Sequence, residues 1–309
     1  MSLIEQAAKR LEQLRQAGVE LPEEAAVSNV VSRDEMRPPQ QSAVAPHPDT
    51  ATNKVNTPAS RSAEIRLDLE AISASGLLVP NAARSQLADE FRVIKRPLIA
   101  NAMGKGATPI PNGNLIMVTS ALPGEGKSFS AINLAISIAM ELDNTVMLVD
   151  ADVARPSVLN MLGLPPSKGL LDILEQNSVD ISGVLLRTNI EKLSILPSGT
   201  PHPRATELLA SDTMVRLLDD MARRYSDRII IFDSPPLLLT TESRVLATHM
   251  GQVVMIVNAG NTLQAAVKQA IATIESCPIK MMVLNQVRTA TMDGYGYGYG
   301  YGYGYGHDK

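Results

Sequence analysis

The segment from Leu115 to Ala135, LIMVTSALPGEGKSFSAINLA, constrains the fold of this 309-residue chain more than any other stretch. It reads as an apolar strand, a short loop with two glycines, and a helix of small and apolar residues. The loop from Ala121 to Ser128 fits the Walker A pattern, except that alanine stands where the pattern has its first glycine. Such a loop predicts an α/β fold in which it lies at the carboxyl edge of a parallel sheet.

Phosphate binding is the chemistry that this loop supports. Gly124 and Gly126 let the backbone approach phosphate oxygens at a helix N-terminus, where negative charge is favoured. Lys127 can reach the β- and γ-phosphates of a nucleotide, and the Ser128 hydroxyl can bind Mg²⁺. The alternative is an ordinary glycine-rich turn between a strand and a helix. The GKS sequence in this strand–helix context favours the phosphate loop.

Apolar strands alternate with helical stretches from Asn114 to about Arg288. We predict strands over Leu115–Thr119, Thr145–Val149, Leu193–Leu196, Arg228–Phe232, Gln252–Val257 and Lys280–Leu284. We predict helices over Lys127–Glu141, Pro156–Leu162, Ala205–Ala210, Thr213–Tyr225 and Thr262–Glu275. Apolar strands without strict alternation, separated by helices, are typical of a parallel sheet covered on both faces. The expected fold class is therefore α/β, a doubly wound and mostly parallel sheet of the P-loop NTPase type.

Carboxylates follow two of these strands. Asp150 and Asp152 form an Asp-Ala-Asp segment after one strand, and Asp233 begins an Asp-Ser-Pro-Pro segment after another. Parallel strands place such residues at the same edge as the phosphate loop, where carboxylates can hold Mg²⁺ or accept a proton from an incoming hydroxyl. An acidic helix N-cap is the alternative for either segment alone. The combination with the loop favours a site.

The chain divides into four regions. We expect an amphipathic helix within residues 1–20, with Ile4, Ala8, Leu11 and Leu14 on one face, and a flexible proline-rich linker over 21–62. The P-loop domain is expected over 63–290, with an early helix at Ser85–Ile94 that Pro97 ends. Residues 291–309 form a tyrosine- and glycine-rich tail.

The tail alternates tyrosine with glycine from Gly294 to Gly306. Glycine at every second position disfavours a stable strand, so we expect a flexible, exposed segment that offers its tyrosines to an active site. Six phosphates on it would add roughly −9 to −12 charges. An adhesive low-complexity repeat is the alternative. The candidate phosphoacceptors are Tyr295, Tyr297, Tyr299, Tyr301, Tyr303 and Tyr305.

The segments PGEGKS, DAD and FDSPP resemble the Walker A, Walker A′ and Walker B motifs of bacterial tyrosine kinases, within the MinD/ParA-like group of P-loop ATPases. The forms VDADVARPS and EFRVIKRPL are similar to those of stand-alone kinases linked to exosortase and exopolysaccharide clusters. The resemblance implies an ATP- and Mg²⁺-dependent tyrosine autokinase that phosphorylates its tail in trans and regulates exopolysaccharide or capsule synthesis and export.

The resemblance also assigns roles to residues. The implied catalytic residues are Lys127, Asp150, Asp152 and Asp233. The implied nucleotide-binding residues are Gly124, Glu125, Gly126, Lys127, Ser128, Phe129 and Asn285. The implied metal ligands are Ser128, Asp152 and Asp233.

Two departures from the motifs bear on the function. Arg155 stands one residue later than the arginine of the usual DxDxR segment, so the resemblance does not fix its role. Leu122 occupies the loop position where MinD/ParA-like ATPases carry a lysine, which favours the kinase branch. The alternatives are an ATP-dependent switch or scaffold without kinase activity, and a non-catalytic assembly module with an aromatic tail.

Asp89, Arg92 and Lys95 are spaced three residues apart, which predicts one charged helical face. A solvated face with internal salt bridges is one interpretation. Similarity to the family's ExxRxxR motif implies instead a self-association surface through which the chains form a ring.

Composition and resemblance together suggest the partners and the compartment. A net charge of −4 and a pI near 5.7 give no indication of nucleic-acid binding. The single cysteine, Cys277, fits a reducing cytoplasm, and we expect neither a membrane span nor export. The resemblance implies a membrane-bound polysaccharide co-polymerase that activates the kinase at the inner face of the plasma membrane, and a cognate tyrosine phosphatase.

Overall fold

Eight strands form one sheet in the computed structural model, which describes residues 62–287 except 81–83, 107, 177–179 and 226. The strands are β1 Ala63–Ile65, β2 Leu115–Ser120, β3 Thr145–Asp150, β4 Leu186–Thr188, β5 Leu193–Leu196, β6 Arg228–Asp233, β7 Gln252–Asn258 and β8 Ile279–Asn285. Their order across the sheet is β1-β4-β5-β3-β6-β2-β7-β8. All neighbouring pairs are parallel except β4 with β5. The predicted α/β class and mostly parallel sheet are confirmed.

Ten helices occur in the described part of the chain. They are α1 Leu69–Ala74, α2 Gln86–Ala102, α3 Lys127–Ala139, α4 Val158–Met161, α5 Leu170–Glu175, α6 Ile181–Val184, α7 Ala205–Leu209, α8 Asp212–Arg224, α9 Glu242–Thr248 and α10 Gln264–Ala272. None of the helices described here is both long enough and apolar enough to cross a membrane. The predicted amphipathic helix, the linker and the tyrosine tail lie outside the described residues.

Two apolar layers cover the sheet, because successive residues of each strand point to opposite faces. Met117, Met147 and Phe232 point to one face, where α8 packs through Met214 and Leu218. On the other face, α2 and α3 cover the alternate strand residues, including Ile116, Leu148 and Ile231. The central strands β2, β3 and β6 are almost fully buried for this reason. The sheet is therefore doubly wound, as the uninterrupted apolar strands predict.

The helix over residues 86–102 corrects one prediction. Pro97 lies inside α2 rather than ending the predicted helix at Ser85–Ile94. Pro97 is exposed, so the carbonyl left without a partner one turn earlier faces water. Phe91 and Leu98 are buried against the layer that contains α3. Tertiary packing thus outweighs the local cost of the proline.

The structure also contains elements that no pattern in the sequence indicated. Strands β1 and β4 are three residues long and partly exposed, and β4 pairs antiparallel with β5. Helices α1, α5, α6 and α9 have seven residues or fewer. The predicted strands and the predicted helices from Lys127 onward are all present, with ends that differ by a few residues.

Candidate active site

The predicted phosphate loop joins β2 to α3 at the carboxyl edge of the sheet. Gly124 and Gly126 have φ angles of 80° and 90°, a left-handed conformation that glycine adopts without steric cost. Gly126 is also the N-cap of α3, and it has no side chain with which to cap the helix. The first amides of a helix have no intrahelical acceptor, so this turn can donate hydrogen bonds to a phosphate.

Glu125 fixes the shape of the loop from within. Its side chain is only 3% exposed, and its Oε2 accepts a hydrogen bond from the Leu122 amide at 2.7 Å. Its Oε1 accepts from the Thr262 hydroxyl and, at 3.4 Å, from the Asn258 amide. The carboxylate is thereby committed to loop geometry, which leaves its backbone as the part that can face a phosphate. The pattern of the sequence did not indicate this anchoring role.

Lys127 connects the loop to both acidic segments. Its Nζ lies 2.7 Å from Oδ2 of Asp152 and 3.8 Å from Oδ1 of Asp233. The lysine side chain is 13% exposed and the two carboxylates 5% and 0%, so these charges interact away from bulk water. The structure thus brings the loop lysine together with Asp152 and Asp233, as the sequence predicts. A bound phosphate would compete with Asp152 for the ammonium group.

Asp150 and Asp233 are direct register partners on the adjacent strands β3 and β6. Burial, reinforced by the charge of Asp233, raises the pKa of Asp150 to about 7. Burial also raises the pKa of Asp233 to about 6, although the charge of Lys127 opposes this shift. The protein therefore holds two carboxyl groups whose protonation changes near neutral pH.

Three oxygens of this pair have no hydrogen-bond partner within the described structure. Oδ2 of Asp150 accepts from the amides of Ser157 and Val158 at 3.1 Å, but its Oδ1 and both oxygens of Asp233 are buried without a hydrogen bond, and the Lys127 ammonium stays 3.8 Å from Oδ1 of Asp233. Buried carboxylate oxygens without partners are costly. A divalent cation or its bound water would satisfy them.

The residues at this position fit Mg²⁺. Magnesium prefers oxygen ligands and is commonly held by one or two carboxylates together with phosphate oxygens. Asp233 supplies unpaired oxygens, and Asp152 and the Ser128 hydroxyl lie next to Lys127. No cluster of three or more His, Cys, Asp or Glu side chains arranged for a metal occurs among the residues described. Water and phosphate oxygens would complete the shell of a magnesium ion at this place.

Ser157 is a site residue that the sequence analysis missed. Its hydroxyl donates to Oγ of Ser128 at 2.8 Å, and its amide donates to Asp150. Arg155, two residues earlier, has an exposed side chain, and its amide bonds to Asp152. The segment after Asp152 thus folds back over the loop through Ser157 rather than through Arg155.

Asn285, at the end of β8, reaches the same loop. Its Nδ2 donates to the carbonyl of Glu125 at 2.9 Å. The adjacent Gln286 donates from Nε2 to the carbonyl of Gly124 at 3.2 Å. Phe129, also predicted to bind nucleotide, packs partly buried against the layer that contains α3. Nucleotide binding by Asn285 and Phe129 remains a prediction.

The predicted oligomer residues lie on α2, and one of them differs from expectation. Arg92 and Asp89 form an exposed ion pair, as a charged surface requires. Lys95 is buried instead: its Nζ donates to the carbonyl of Ser137 and lies 2.9 Å from Oε1 of Glu141. The expectation that the three charges share one exposed face is therefore wrong for Lys95, because α3 packs against that side of the helix. The interface role of Asp89 and Arg92 stays a prediction.

Comparison with known families agrees with this geometry. The ParA family model, described as an NUBPL iron-transfer P-loop NTPase, matches residues 112–284, more than half of the chain. The matched range contains the phosphate loop and the three aspartates, from Gly124 to Asp233, whereas Asn285 lies one residue beyond it. Fold and site together define a P-loop NTPase of the ParA-like class.

Individual relatives narrow the class. The chain is 34% identical over 164 residues to tyrosine-protein kinase YwqD of Bacillus subtilis (strain 168), covering 52% of this chain and 68% of that protein. It is 30% identical to tyrosine-protein kinase CpsD of Streptococcus agalactiae, covering 56% and 75%. The solved structure of the chimerical protein CapA2B2 superposes with a TM-score of 0.56 at 26% identity, covering 72% of this chain and 93% of that one. The chain belongs to the bacterial tyrosine-kinase family.

Proposed function

We propose that this protein is an ATP-dependent protein-tyrosine autokinase that phosphorylates the tyrosines of its own tail. The observation that carries the proposal is the position of Lys127 between Asp152 and Asp233, with unpaired buried oxygens on Asp233 and Asp150. A nucleotide-binding fold alone supports many reactions, and the tail supplies a substrate. Six of the seven tyrosines of the chain lie between Gly294 and Gly306.

The chemistry requires one bond to form and one to break. The tyrosine Oη attacks the γ-phosphorus of ATP, the bond from that phosphorus to the bridging oxygen of ADP breaks, and ADP leaves. The loop amides and Lys127 hold the phosphates and stabilise the charge that develops on the transferred group. Mg²⁺, held by Ser128, Asp152 and Asp233, would neutralise phosphate charge when bound.

The phenolic proton needs an acceptor, because a tyrosine with a pKa near 10 is a poor nucleophile at neutral pH. Asp150 fits this role. Its Oδ2 is held by two backbone amides, while its Oδ1 is free of partners in the described structure. A pKa of about 7 allows this carboxyl group to take up a proton and release it near neutral pH.

Assembly and location extend the proposal. We infer that Asp89 and Arg92 contribute to a ring of subunits, in which the tail of one chain reaches the site of the next. Charge added to the tails by phosphorylation would separate the subunits. By similarity to the family, the protein would act in the cytoplasm in exopolysaccharide or capsule synthesis. A membrane-bound co-polymerase would recruit it to the plasma membrane and activate it, and a tyrosine phosphatase would remove the phosphates from its tail.

A phosphotyrosine assay tests the activity. Purified protein is incubated with Mg²⁺ and ATP beside Lys127→Met and a chain truncated after Asp293, and phosphotyrosine is detected by blotting. We expect signal in the wild type and none in either variant. ATP turnover without phosphotyrosine, with and without the cytoplasmic segment of the activator, would instead identify an ATPase switch.

Mixing the two variants tests transfer between subunits. Lys127→Met carries the tail but lacks the loop lysine, and the truncated chain has an intact site without a tail. We expect the mixture to phosphorylate the Lys127→Met chain. Absence of signal, where wild type alone gives it, would show transfer within one chain.

A further inference from the structure

An apolar groove lies beside β8, at one end of the sheet. It has a volume of about 570 Å³ and lies between α10 and the outer strand. Val267 and Ile271 of α10 form one wall, and Met282 and Leu284 of β8 form the other. The two β8 side chains are 60% and 67% exposed. Large apolar side chains that line an exposed groove in this way mark a contact surface.

The strand itself is open on one side. β8 pairs with β7, and no other strand of the described chain lies beside it. Its residues alternate between exposed and partly buried, with Met282 and Leu284 on the exposed face. An edge strand with unpaired backbone groups and apolar side chains can bind another extended segment.

The tail is close enough in sequence to be that segment. The described chain ends at Val287, two residues after β8, and Gln286 has a φ of 57°, which turns the backbone at the strand end. The seven residues that follow Val287, up to Gly294, span at most about 25 Å, roughly the length of β8. A chain that reverses direction there can therefore return along the groove.

The repeat of the tail matches the groove. An extended Gly-Tyr repeat places every tyrosine ring on one side, because side chains alternate along an extended backbone. The glycines on the other side let the backbone approach its neighbour closely. We propose that part of the Gly294–Gly306 repeat of the same chain docks in this groove when unphosphorylated, with tyrosine rings against Met282, Leu284 and Val267.

Docking would store the acceptors beside the phosphate loop. Thr262, whose hydroxyl holds Glu125, also lines the groove. A phosphotyrosine carries about −1.5 to −2 charges, which the apolar walls disfavour, so phosphorylation would release the tail although Lys268 lines one part of the groove. This release rests on the proposed kinase activity, whereas the docking does not.

Intrinsic tyrosine fluorescence tests the docking directly. The chain has no tryptophan, and six of its seven tyrosines lie in the tail, so the emission reports mainly on the tail. Acrylamide quenching is measured without ATP on Lys127→Met, which keeps the tail unphosphorylated, and the chain truncated after Asp293 supplies the contribution of Tyr225. We expect quenching up to about two-fold weaker than that of a free tail peptide, because the groove is long enough for only about half of the repeat. The double change Met282→Glu and Leu284→Glu should raise it to the peptide value.

Control variants distinguish docking in this groove from contacts of the tail elsewhere. Leu142→Glu alters a side chain that is 86% exposed and lies outside the groove, and it should leave quenching unchanged. Equal quenching in the protein and the peptide would overturn the proposal. Protection from quenching that falls on dilution would also overturn it, because the tail would then dock on another copy. Protection that is lost on deletion of residues 1–20 would overturn it as well, because the tail would then contact that segment. Because no ATP is present, failure here would leave the kinase activity untouched.

Discussion

Glu125 and Thr262, 137 residues apart in sequence, are joined by a hydrogen bond from the threonine hydroxyl to the glutamate carboxylate. The bond ties the phosphate loop to the segment after β7. Because Glu125 also accepts from the Leu122 amide, one buried side chain sets the distance between two loops. The loop is thereby shaped before nucleotide arrives, which reduces the ordering that binding must impose.

Glu125→Gln should weaken ATP binding about ten-fold, because an amide NH₂ would face donors that now meet a carboxylate. Thr262→Val should act in the same direction. The two changes together should be less harmful than their sum, since both remove the same hydrogen bond. Isothermal titration with ATP and Mg²⁺ measures each affinity, and fully additive effects would contradict the proposed coupling.

Asp150→Asn should change how stability depends on pH. The pKa of Asp150 is raised to about 7 in the folded protein, so the folded state binds more protons than the unfolded state between about pH 4 and 7. Stability contributed by this group therefore falls as pH rises through that window. We expect Asp150→Asn to gain about 2–4 kcal/mol relative to wild type between pH 4 and pH 8.

Urea denaturation in EDTA at several pH values measures this difference. Comparing the variant with the wild type at each pH cancels the contributions of the carboxyl groups that do not interact with Asp150. Asp180→Asn, at a group that approaches neither Asp150 nor Lys127, provides the matched control and should follow the wild type. A constant difference between Asp150→Asn and the wild type would contradict the assignment.

Asp233→Asn should remove the magnesium-dependent part of nucleotide binding. Both oxygens of Asp233 are buried without partners, so a bound cation has its largest effect there. At a concentration one hundred times its Kd, Mg²⁺ with ADP should stabilise the wild type by about 2.7 kcal/mol. Thermal unfolding with ADP, in Mg²⁺ or in EDTA, should show a magnesium increment in the wild type only. An equal increment in Asp233→Asn would place the metal elsewhere.

Lys95 and Arg92 should respond differently to substitution, although both lie in the charged motif of α2. Lys95→Met leaves the Ser137 carbonyl and the Glu141 carboxylate without their partner, and should cost about 1–3 kcal/mol. Arg92→Glu changes an exposed pair and should alter stability by less than about 0.5 kcal/mol.

The two variants also separate folding from assembly. Arg92→Glu should lower the mass measured by light scattering while it leaves the unfolding midpoint unchanged. Val93→Glu, at a neighbouring side chain that is 74% exposed, tests whether the surface is apolar as well as charged. A ring that survives Arg92→Glu would exclude this residue from the interface.

The central strands and the loop were predictable because their signals are local. Strand β2 is six residues of uninterrupted apolar or small side chains, and the loop glycines are identified by sequence alone. Strands β1 and β4 are three residues long and carry no such run, and β1 pairs with β4, which lies far from it in sequence. The sequence could not show that pairing.

The sequence predicted which residues form the site but not the hydrogen bonds that join them. Lys127, Asp152 and Asp233 meet as their positions after parallel strands require. The buried role of Glu125 and the contact of Ser157 with Ser128 depend on how loops fold over one another. Lys95 shows the same limit, because helical spacing identifies a face but not the neighbour that covers it.

The close approach of β8 to the phosphate loop has a consequence for sequence change. A Cβ placed on Gly126 would lie 2.1 Å from Nδ2 of Asn285, so a side chain at residue 126 requires the Asn285 amide to move away. A library that randomises residue 126 alone should return only glycine. Randomising residue 285 as well removes the steric block, so that only the left-handed backbone conformation at residue 126 still favours glycine. A change at residue 126 of the loop is thus coupled to a change at residue 285 of the last strand, although the two lie far apart in the sequence.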